Sequence, residues 1–121
     1  MIEVTLHWPT PRLSPNARIH WRLKARAVSN HRRICWGMAK DQVFPIPEMD
    51  GNLVLEYTFN PPNKRSFDKD NLIGRMKSGI DGVCDALKIN DNQFKTVIAR
   101  TGEIVKFGTV VVRIYKDEIN G

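Results

Sequence analysis

Short segments in which every second residue is apolar constrain the fold of this 121-residue chain most strongly. Near the N-terminus Ile2, Val4 and Leu6 alternate with polar residues, and near the C-terminus apolar residues alternate in the same way over residues 109–115. A period of two is typical of a strand with one buried face. Two further strands are predicted at residues 53–59 and 94–101, so four strands are expected in total.

Two stretches between the predicted strands follow the helical period of 3.6 residues instead. The first runs from about residue 21 to 43, and the second from residue 71 to about 87. The resulting order, β-α-β-α-β-β, predicts an α+β fold with a mixed sheet and two helices. No linker divides the chain, so one domain over residues 1–121 is expected.

The apolar side of the first predicted helix is made of Leu23, Val28, Cys35 and Met38. Trp21 and Trp36 are expected in the core or in helix packing, with base stacking as the alternative for Trp21. The second helix contains Gly74, Gly79 and Gly82, each of which costs about 1 kcal/mol in a helix interior. Close approach of another backbone or of DNA would explain them, and an irregular helix is the alternative.

Positive charge is concentrated in the first third of the chain. The formal net charge is +6, and residues 4–40 carry basic side chains but no acidic one. A polyanion such as DNA is the natural partner of such a chain, although a solvated basic face has the same composition. The side chains expected to contact nucleic acid are Arg18, Arg22, Arg32 and Arg33 here, and Lys64, Arg65 and Lys69 farther along.

The two cysteines, Cys35 and Cys84, fall in apolar helical patterns and are expected to be buried free thiols. Neither they nor the histidines have the spacing of a structural zinc site. The sequence has no signal peptide and no apolar run of membrane length. A soluble protein of the cytoplasm with no membrane partner is therefore expected.

An acidic pair lies directly before the second predicted helix. Asp68 and Asp70 are two residues apart, and in extended backbone such residues point to the same side, about 6 to 7 Å apart. Two carboxylates so placed repel one another unless a cation such as Mg²⁺ or Mn²⁺ lies between them. The flanking Lys64, Arg65 and Lys69 suit a phosphate, so phosphodiester hydrolysis is indicated. The alternative is that one of the two acids simply caps the helix.

Three motifs together resemble one known family. They are Asp68-Lys69-Asp70-Asn71-Leu72, Lys77-Ser78-Gly79-Ile80-Asp81 and Asp91-Asn92-Gln93. Their order and spacing resemble the RusA-type Holliday junction resolvases, which are small phage-derived crossover junction endodeoxyribonucleases. The opening Trp8-Pro9, followed by Asn16 and Arg18, is also similar, so the resemblance spans most of the chain.

The resemblance implies a RusA-like domain that nicks four-way DNA junctions as a homodimer with Mg²⁺, in DNA recombination and repair, in a bacterium or phage. It also implies that Asp68, Asp70 and Asp91 bind the metal and that Lys77 is needed for cleavage, with no small-molecule cofactor. The chain departs from the family pattern at two places. Lys77 lies farther from Asp70 than in that pattern, and Asn90 replaces an aspartate.

In this interpretation Lys77 stabilises the charge that develops on the phosphoryl group during hydrolysis. Asn71 either orients a carboxylate or is an ordinary first-turn residue, and Asp81 is expected to pair with Lys77 at i+4. Two alternatives stay open. One is a basic DNA-binding module without catalysis, and the other is a metal-dependent phosphohydrolase of a smaller substrate.

The length of the second predicted helix raises the question of which subunit supplies Asp91. A straight helix over residues 71–87 is about 25 Å long, whereas carboxylates that share a metal ion lie within about 5 Å of one another. Asp70 precedes the helix and Asp91 follows it, so a site shared across a two-fold dimer is expected. The alternative is a helix that begins near Met76 after a bend at Gly74, which would place Asp91 in the same subunit.

Overall fold

The computed structural model describes residues 1–118 and confirms the predicted α+β fold with a mixed sheet. All four predicted strands are present, and the first helix has nearly the predicted bounds. Two short 3-10 helices cover Pro11–Leu13 and Asp91–Gln93. The other elements are β1 (Ile2–His7), α1 (Trp21–Gln42), β2 (Leu53–Asn60), α2 (Lys69–Arg75), α3 (Lys77–Leu87), β3 (Phe94–Thr101) and β4 (Thr109–Lys116).

The sheet has the strand order β1-β4-β2-β3. β4 runs antiparallel to both β1 and β2, and β2 and β3 are parallel. β1, β2 and β3 therefore end on the same side of the sheet, where β4 begins. We call this side the carboxyl end of the sheet and define it by His7, Asn60, Thr101 and Thr109. The parallel pair needs a crossover connection, which α2 and α3 supply, so the acidic segment that follows β2 lies at the carboxyl end.

Helices cover one face of the sheet. Burial along β1 alternates residue by residue, as its period-two pattern predicts. Its inward side chains join those of β2, β4 and all three helices in one hydrophobic core. Leu6, Phe59, Met76 and Val83 are among the fully buried members. Burial of such a side chain contributes about 1.5–3 kcal/mol, so this face of the sheet anchors the crossover helices.

The second predicted helix is broken in two, so the expected count of two helices is wrong. α2 ends one residue before Met76, and α3 begins one residue after it. Met76 has φ −84° and ψ −5°, and its N–H donates to the carbonyl oxygens of both Ile73 and Leu72. The break at Met76 coincides with a change of packing partner. α2 contacts the 3-10 helix at residues 11–13, whereas α3 lies against α1.

Two glycines let α3 approach α1 closely. A Cβ atom at Gly82 would overlap the carbonyl oxygen of Arg32, and one at Gly79 would lie 2.6 Å from Cε1 of His31. Packed protein interiors do not accommodate such overlaps. The predicted close approach of another backbone is therefore confirmed at Gly82. The approaching backbone is that of α1.

α1 is buried mainly in its C-terminal half. Cys35 is buried and Met38 is half-buried, as predicted. The predictions for Leu23, Val28 and Trp21 are wrong, since each of these side chains is at least 40% exposed. α1 has 22 residues and α3 has 11, or about 33 Å and 16 Å, so α3 covers only half of α1. Neither α1 nor any other helix within residues 1–118 has the length and apolarity needed to cross a membrane.

The two cysteines are free and buried, as predicted. Burial raises the pKa of Cys35 and of Cys84 to about 12. Neither side chain therefore forms the reactive thiolate near neutral pH, and both serve as small apolar residues in the contact between α1, α3 and the sheet.

Candidate active site

The acidic segment is held at the carboxyl end of the sheet by an aromatic contact and a turn. The rings of Trp8 and Phe67 pack edge to face, with their centroids 5.1 Å apart. The side-chain oxygen of Asn63 accepts a hydrogen bond from the backbone N–H of Arg65 at 2.9 Å, as in an Asx turn. Phe67 directly precedes Asp68, so the acidic pair begins where the aromatic contact fixes the chain.

Asp68 is the N-cap of α2. Its Oδ1 accepts hydrogen bonds from the backbone N–H groups of Asp70 at 2.9 Å and Asn71 at 3.3 Å. The capping interpretation is therefore confirmed for Asp68. Among residues 1–118, no hydrogen-bonding partner is found for the other oxygen, Oδ2. The cap thus occupies one oxygen of the carboxylate and leaves the second able to bind a ligand.

Asp70 lies in the first turn of α2 and is exposed. The expectation that both acids lie on extended backbone is wrong for Asp70, because α2 already begins at Lys69. Asp68 and Asp70 nevertheless remain exposed neighbours at one helix start. Carboxylate oxygens are the ligands that Mg²⁺ prefers, so the chemistry of this pair fits that ion.

Asn71 fixes the start of α2 to the loop that follows β1. Its Nδ2 donates to Oγ of Ser14 at 2.8 Å, and its Oδ1 accepts from Nε of Arg75 at 2.9 Å. Nη1 of Arg75 in turn lies 3.5 Å from the carbonyl oxygen of Pro9. The side-chain amide of Asn71 thus binds a serine and an arginine, and Asn71 contacts the Asp68 carboxylate through its backbone N–H, as the alternative of a first-turn helix residue predicts. Sequence reasoning missed Ser14, because a contact across 57 residues leaves no local pattern. It also missed Arg75, although the i,i+4 spacing from Asn71 on a helix is a signal that could have indicated this contact.

Lys77 lies between two carboxylates in the same chain. Its Nζ is 2.9 Å from Oδ1 of Asp81, which confirms the predicted i,i+4 pair, and 3.4 Å from Oδ2 of Asp91. These contacts raise the pKa of Lys77, chiefly through the hydrogen bond to Asp81. The ammonium group is therefore held in place as a cation. Its two partners, Asp81 and Asp91, line an open cleft of about 540 Å³.

The loop that carries Asp91 is fixed by its neighbours. Lys88 has a left-handed backbone with φ 58°, and this reverses the chain at the end of α3. The side chain of Asn90 accepts from the N–H of Asn92, while the N–H of Asn90 donates to Oε1 of Gln93. Nε2 of Gln93 also donates to two backbone carbonyl oxygens in residues 49–51. Asn90 and Gln93 thus position the loop, and the exposed carboxylate of Asp91 lies against Lys77.

The three predicted metal-binding acids do not meet within one chain. Asp68 and Asp70 begin α2, whereas Asp91 contacts the residue that begins α3, so the seven residues of α2, about 10 Å long, lie between them. Within residues 1–118 no group of three or more His, Cys, Asp or Glu side chains could hold a metal ion. The premise of a straight helix of about 25 Å is wrong. The alternative of a helix that begins near Met76 fits the start of α3 at Lys77, but α2 still separates the acidic pair from Asp91.

One group of predicted DNA-contacting residues surrounds the acidic pair. Lys64, Arg65 and Lys69 are all exposed. Arg65 and Lys69 also line a cavity of about 180 Å³ together with Trp8 and Thr101, which belong to the carboxyl end of the sheet. Positive charge and the acidic pair therefore share this end of the molecule.

The second group lies on or before α1. Arg18, Arg22 and Arg33 are exposed. Arg32 forms an ion pair with Asp85 of α3, with 2.7 Å between Nη2 and Oδ2. Arg32 is therefore already engaged within the chain, and it is the weakest of these candidates for a phosphate contact.

Comparison with known proteins places the chain beside one relative. No protein-family model matches it. It is 37% identical over 117 residues to a protein of Xylella fastidiosa (strain Temecula1 / ATCC 700964), in an alignment that covers 94% of this chain and 76% of the relative. The chain belongs to the family of this Xylella protein. Because the relative bears the name "Uncharacterized protein", the function of the Xylella family has to be argued from the site.

Proposed function

We propose that this chain is a Mg²⁺-dependent endodeoxyribonuclease that resolves four-way DNA junctions as a homodimer, in recombination and repair. The observation that carries the proposal is the exposed acidic pair at the carboxyl end of the sheet. Asp68 caps α2 through one oxygen only, and Asp70 is exposed beside it. Three basic side chains around the pair would attract the phosphates that such an enzyme must bind.

The residues present have distinct tasks in this proposal. Asp68 and Asp70 would hold the ion, and Lys64 and Arg65 would bind phosphates of the DNA backbone. When bound, Mg²⁺ supplies a Lewis acid and lowers the pKa of water. Lys77 keeps its positive charge through Asp81. Because it lies 3.4 Å from Asp91 of its own chain, it would stabilise the charge that develops on the phosphoryl oxygens at the same site as Asp91.

The proposal assigns Asp91 to the site of a partner subunit. Carboxylates that act on one ion lie within about 5 Å of one another, and one chain does not bring Asp91 to Asp68 and Asp70. A two-fold axis gives each subunit's acidic pair the same access to the other subunit's Asp91. Two symmetric sites would follow, which is what paired nicks in a junction require.

A basic DNA-binding module without catalysis is the second candidate. The observation that favours it is the capping role of Asp68, which is sufficient by itself to account for an acid at that position. The two candidates differ in their response to metal, since a module needs no Mg²⁺ to bind DNA and does not cleave the DNA when Mg²⁺ is added.

The proposed function is tested with a labelled synthetic four-way junction and a linear duplex of the same arm sequence. Purified protein should nick the junction at paired positions in Mg²⁺, should leave the duplex intact and should be inactive in EDTA. Binding of the junction with no cleavage in Mg²⁺ would establish the non-catalytic module instead.

Junction affinity should fall steeply with salt, because bound phosphates release counterions. Replacing Lys64 and Arg65 together by alanine should reduce the slope of log K against log[salt] by about 2. The matched control replaces Lys95 and Lys116, two exposed lysines at the opposite end of the sheet, and should leave the slope unchanged. Equal slopes for both double variants would remove Lys64 and Arg65 from the DNA contact.

A further inference from the structure

The loop between β3 and β4 presents an aromatic ring to solvent. Phe107 is 81% exposed and has a positive φ of 69°. A bulky side chain rarely adopts this backbone conformation, and such conformations persist only where the surrounding structure imposes them, often at functional sites. Nζ of Lys106 lies 5.3 Å from the centroid of the ring, so a cation covers one face of the ring and its other face stays available.

The loop that carries Phe107 is anchored on both sides. The N–H of Gly102 donates to the carbonyl oxygen of Phe59 at 2.8 Å, and the N–H of Val105 donates to that of Pro61 at 3.0 Å. A third bond, 2.7 Å from the N–H of Gly108 to the carbonyl oxygen of Val105, closes the turn around Phe107. The ring therefore projects from a turn that backbone hydrogen bonds hold in place.

Contacts through Trp8 place Phe107 near the proposed active site. Its neighbour Gly108 packs so closely on Trp8 that an added Cβ would lie 2.8 Å from the Cβ of Trp8. Trp8 packs on Phe67, which directly precedes Asp68. Trp8 thus contacts both Gly108, the neighbour of Phe107, and Phe67, the neighbour of Asp68. Phe107 and the acidic pair therefore lie at the same end of the sheet, the carboxyl end.

We infer that Phe107 stacks on bases at the branch point of the DNA and holds them away from their neighbours. Aromatic side chains beside cations form the usual stacking platforms for unpaired bases, and apolar wedges unstack base steps in distorted duplexes. Lys106 against the ring, with Arg65 and Lys69 at the same end of the sheet, favours a nucleic acid over an apolar protein surface as the partner. Glu103 is the acidic residue of the same loop. This inference rests on the proposed function, because it requires that the site binds branched DNA.

The test uses a four-way junction with 2-aminopurine beside the branch point, in EDTA so that no cleavage occurs. Binding of the wild-type protein should raise the fluorescence, which reports loss of base stacking. Phe107→Ala should abolish most of this rise and weaken junction binding about tenfold, the order of one lost base–aromatic contact. Phe107→Trp should retain the junction affinity. The control Phe44→Ala, which removes a ring that is 91% exposed, should change neither the affinity nor the fluorescence rise.

The outcomes separate this inference from the proposed function. If the wild-type protein binds and cleaves the junction but Phe107→Ala gives the wild-type fluorescence and affinity, the inference alone is overturned. It is also overturned if Phe107→Ala changes the mass of the protein in light scattering while the fluorescence rise persists, because the ring then packs on a second copy of the chain. If the wild-type protein binds no junction at all, the proposed function fails and the inference fails with it.

Discussion

Asp70→Asn should lower the rate of junction cleavage by about a thousandfold, the order expected when an ion that stabilises transition-state charge is no longer held in place. Junction binding should be retained or strengthened, because one negative charge is lost beside Lys64, Arg65 and Lys69. Asp70 is exposed, and its side chain does not cap the helix, so the fold should be unaffected. Cleavage is measured under single-turnover conditions, and binding is measured by gel shift in EDTA.

The matched control for this variant is Asp41→Asn, which changes an exposed carboxylate near the end of α1. It should cleave at the wild-type rate. Equal losses of binding and cleavage in Asp70→Asn would contradict the assignment, because they would give Asp70 a structural or DNA-contacting role.

Gly82→Ala should lower the free energy of unfolding by about 3 kcal/mol, the upper part of the range for an overpacked site. The new Cβ would overlap the backbone carbonyl oxygen of Arg32, which cannot rotate away as a side chain can. α1 and α3 would have to separate, and the buried contacts of Cys35 and Val83 would weaken. Chemical denaturation followed by circular dichroism measures the change.

Gly37→Ala is the control for the helix propensity of alanine. Gly37 lies inside α1, and a Cβ there would meet no atom within 4 Å. This variant should therefore be stabilised by about 0.5–1 kcal/mol, since alanine favours a helix over glycine by that amount. A Gly82→Ala protein as stable as Gly37→Ala would show that α1 and α3 do not approach one another as described.

The sequence predicts those parts of the fold that depend on local periodicity. The strands follow from alternations such as Ile2, Val4 and Leu6, and the α+β class follows from their order. The break at Met76 does not, because the apolar helical pattern continues through it and the cause is a change of packing partner. The exposure of Leu23 is not predictable from the sequence of α1 either, because it follows from α3 being too short to cover the N-terminal half of α1.

In the candidate site, too, the sequence predicts contacts between residues close in the chain but not those between distant residues. The pair formed by Lys77 and Asp81 is predictable because residues four apart on a helix are neighbours. The contact of Lys77 with Asp91 depends on the reversal of the chain at Lys88, a lysine that no rule places in left-handed backbone. The bond from Asn71 to Ser14 joins two common polar residues that are far apart in sequence, so only the folded chain reveals it.

In the proposed homodimer, Asp68 and Asp70 of one subunit act together with Asp91 of the other. The most direct measurement mixes an Asp70→Asn chain with an Asp91→Asn chain, each inactive alone, and assays four-way junction cleavage by isolated heterodimers. A shared site gives each heterodimer one site with both substitutions and one site with neither, so cleavage by single nicks should return to about half of the wild-type rate. If verified heterodimers that bind the junction remain inactive, every site has kept one substitution, and the shared site is contradicted.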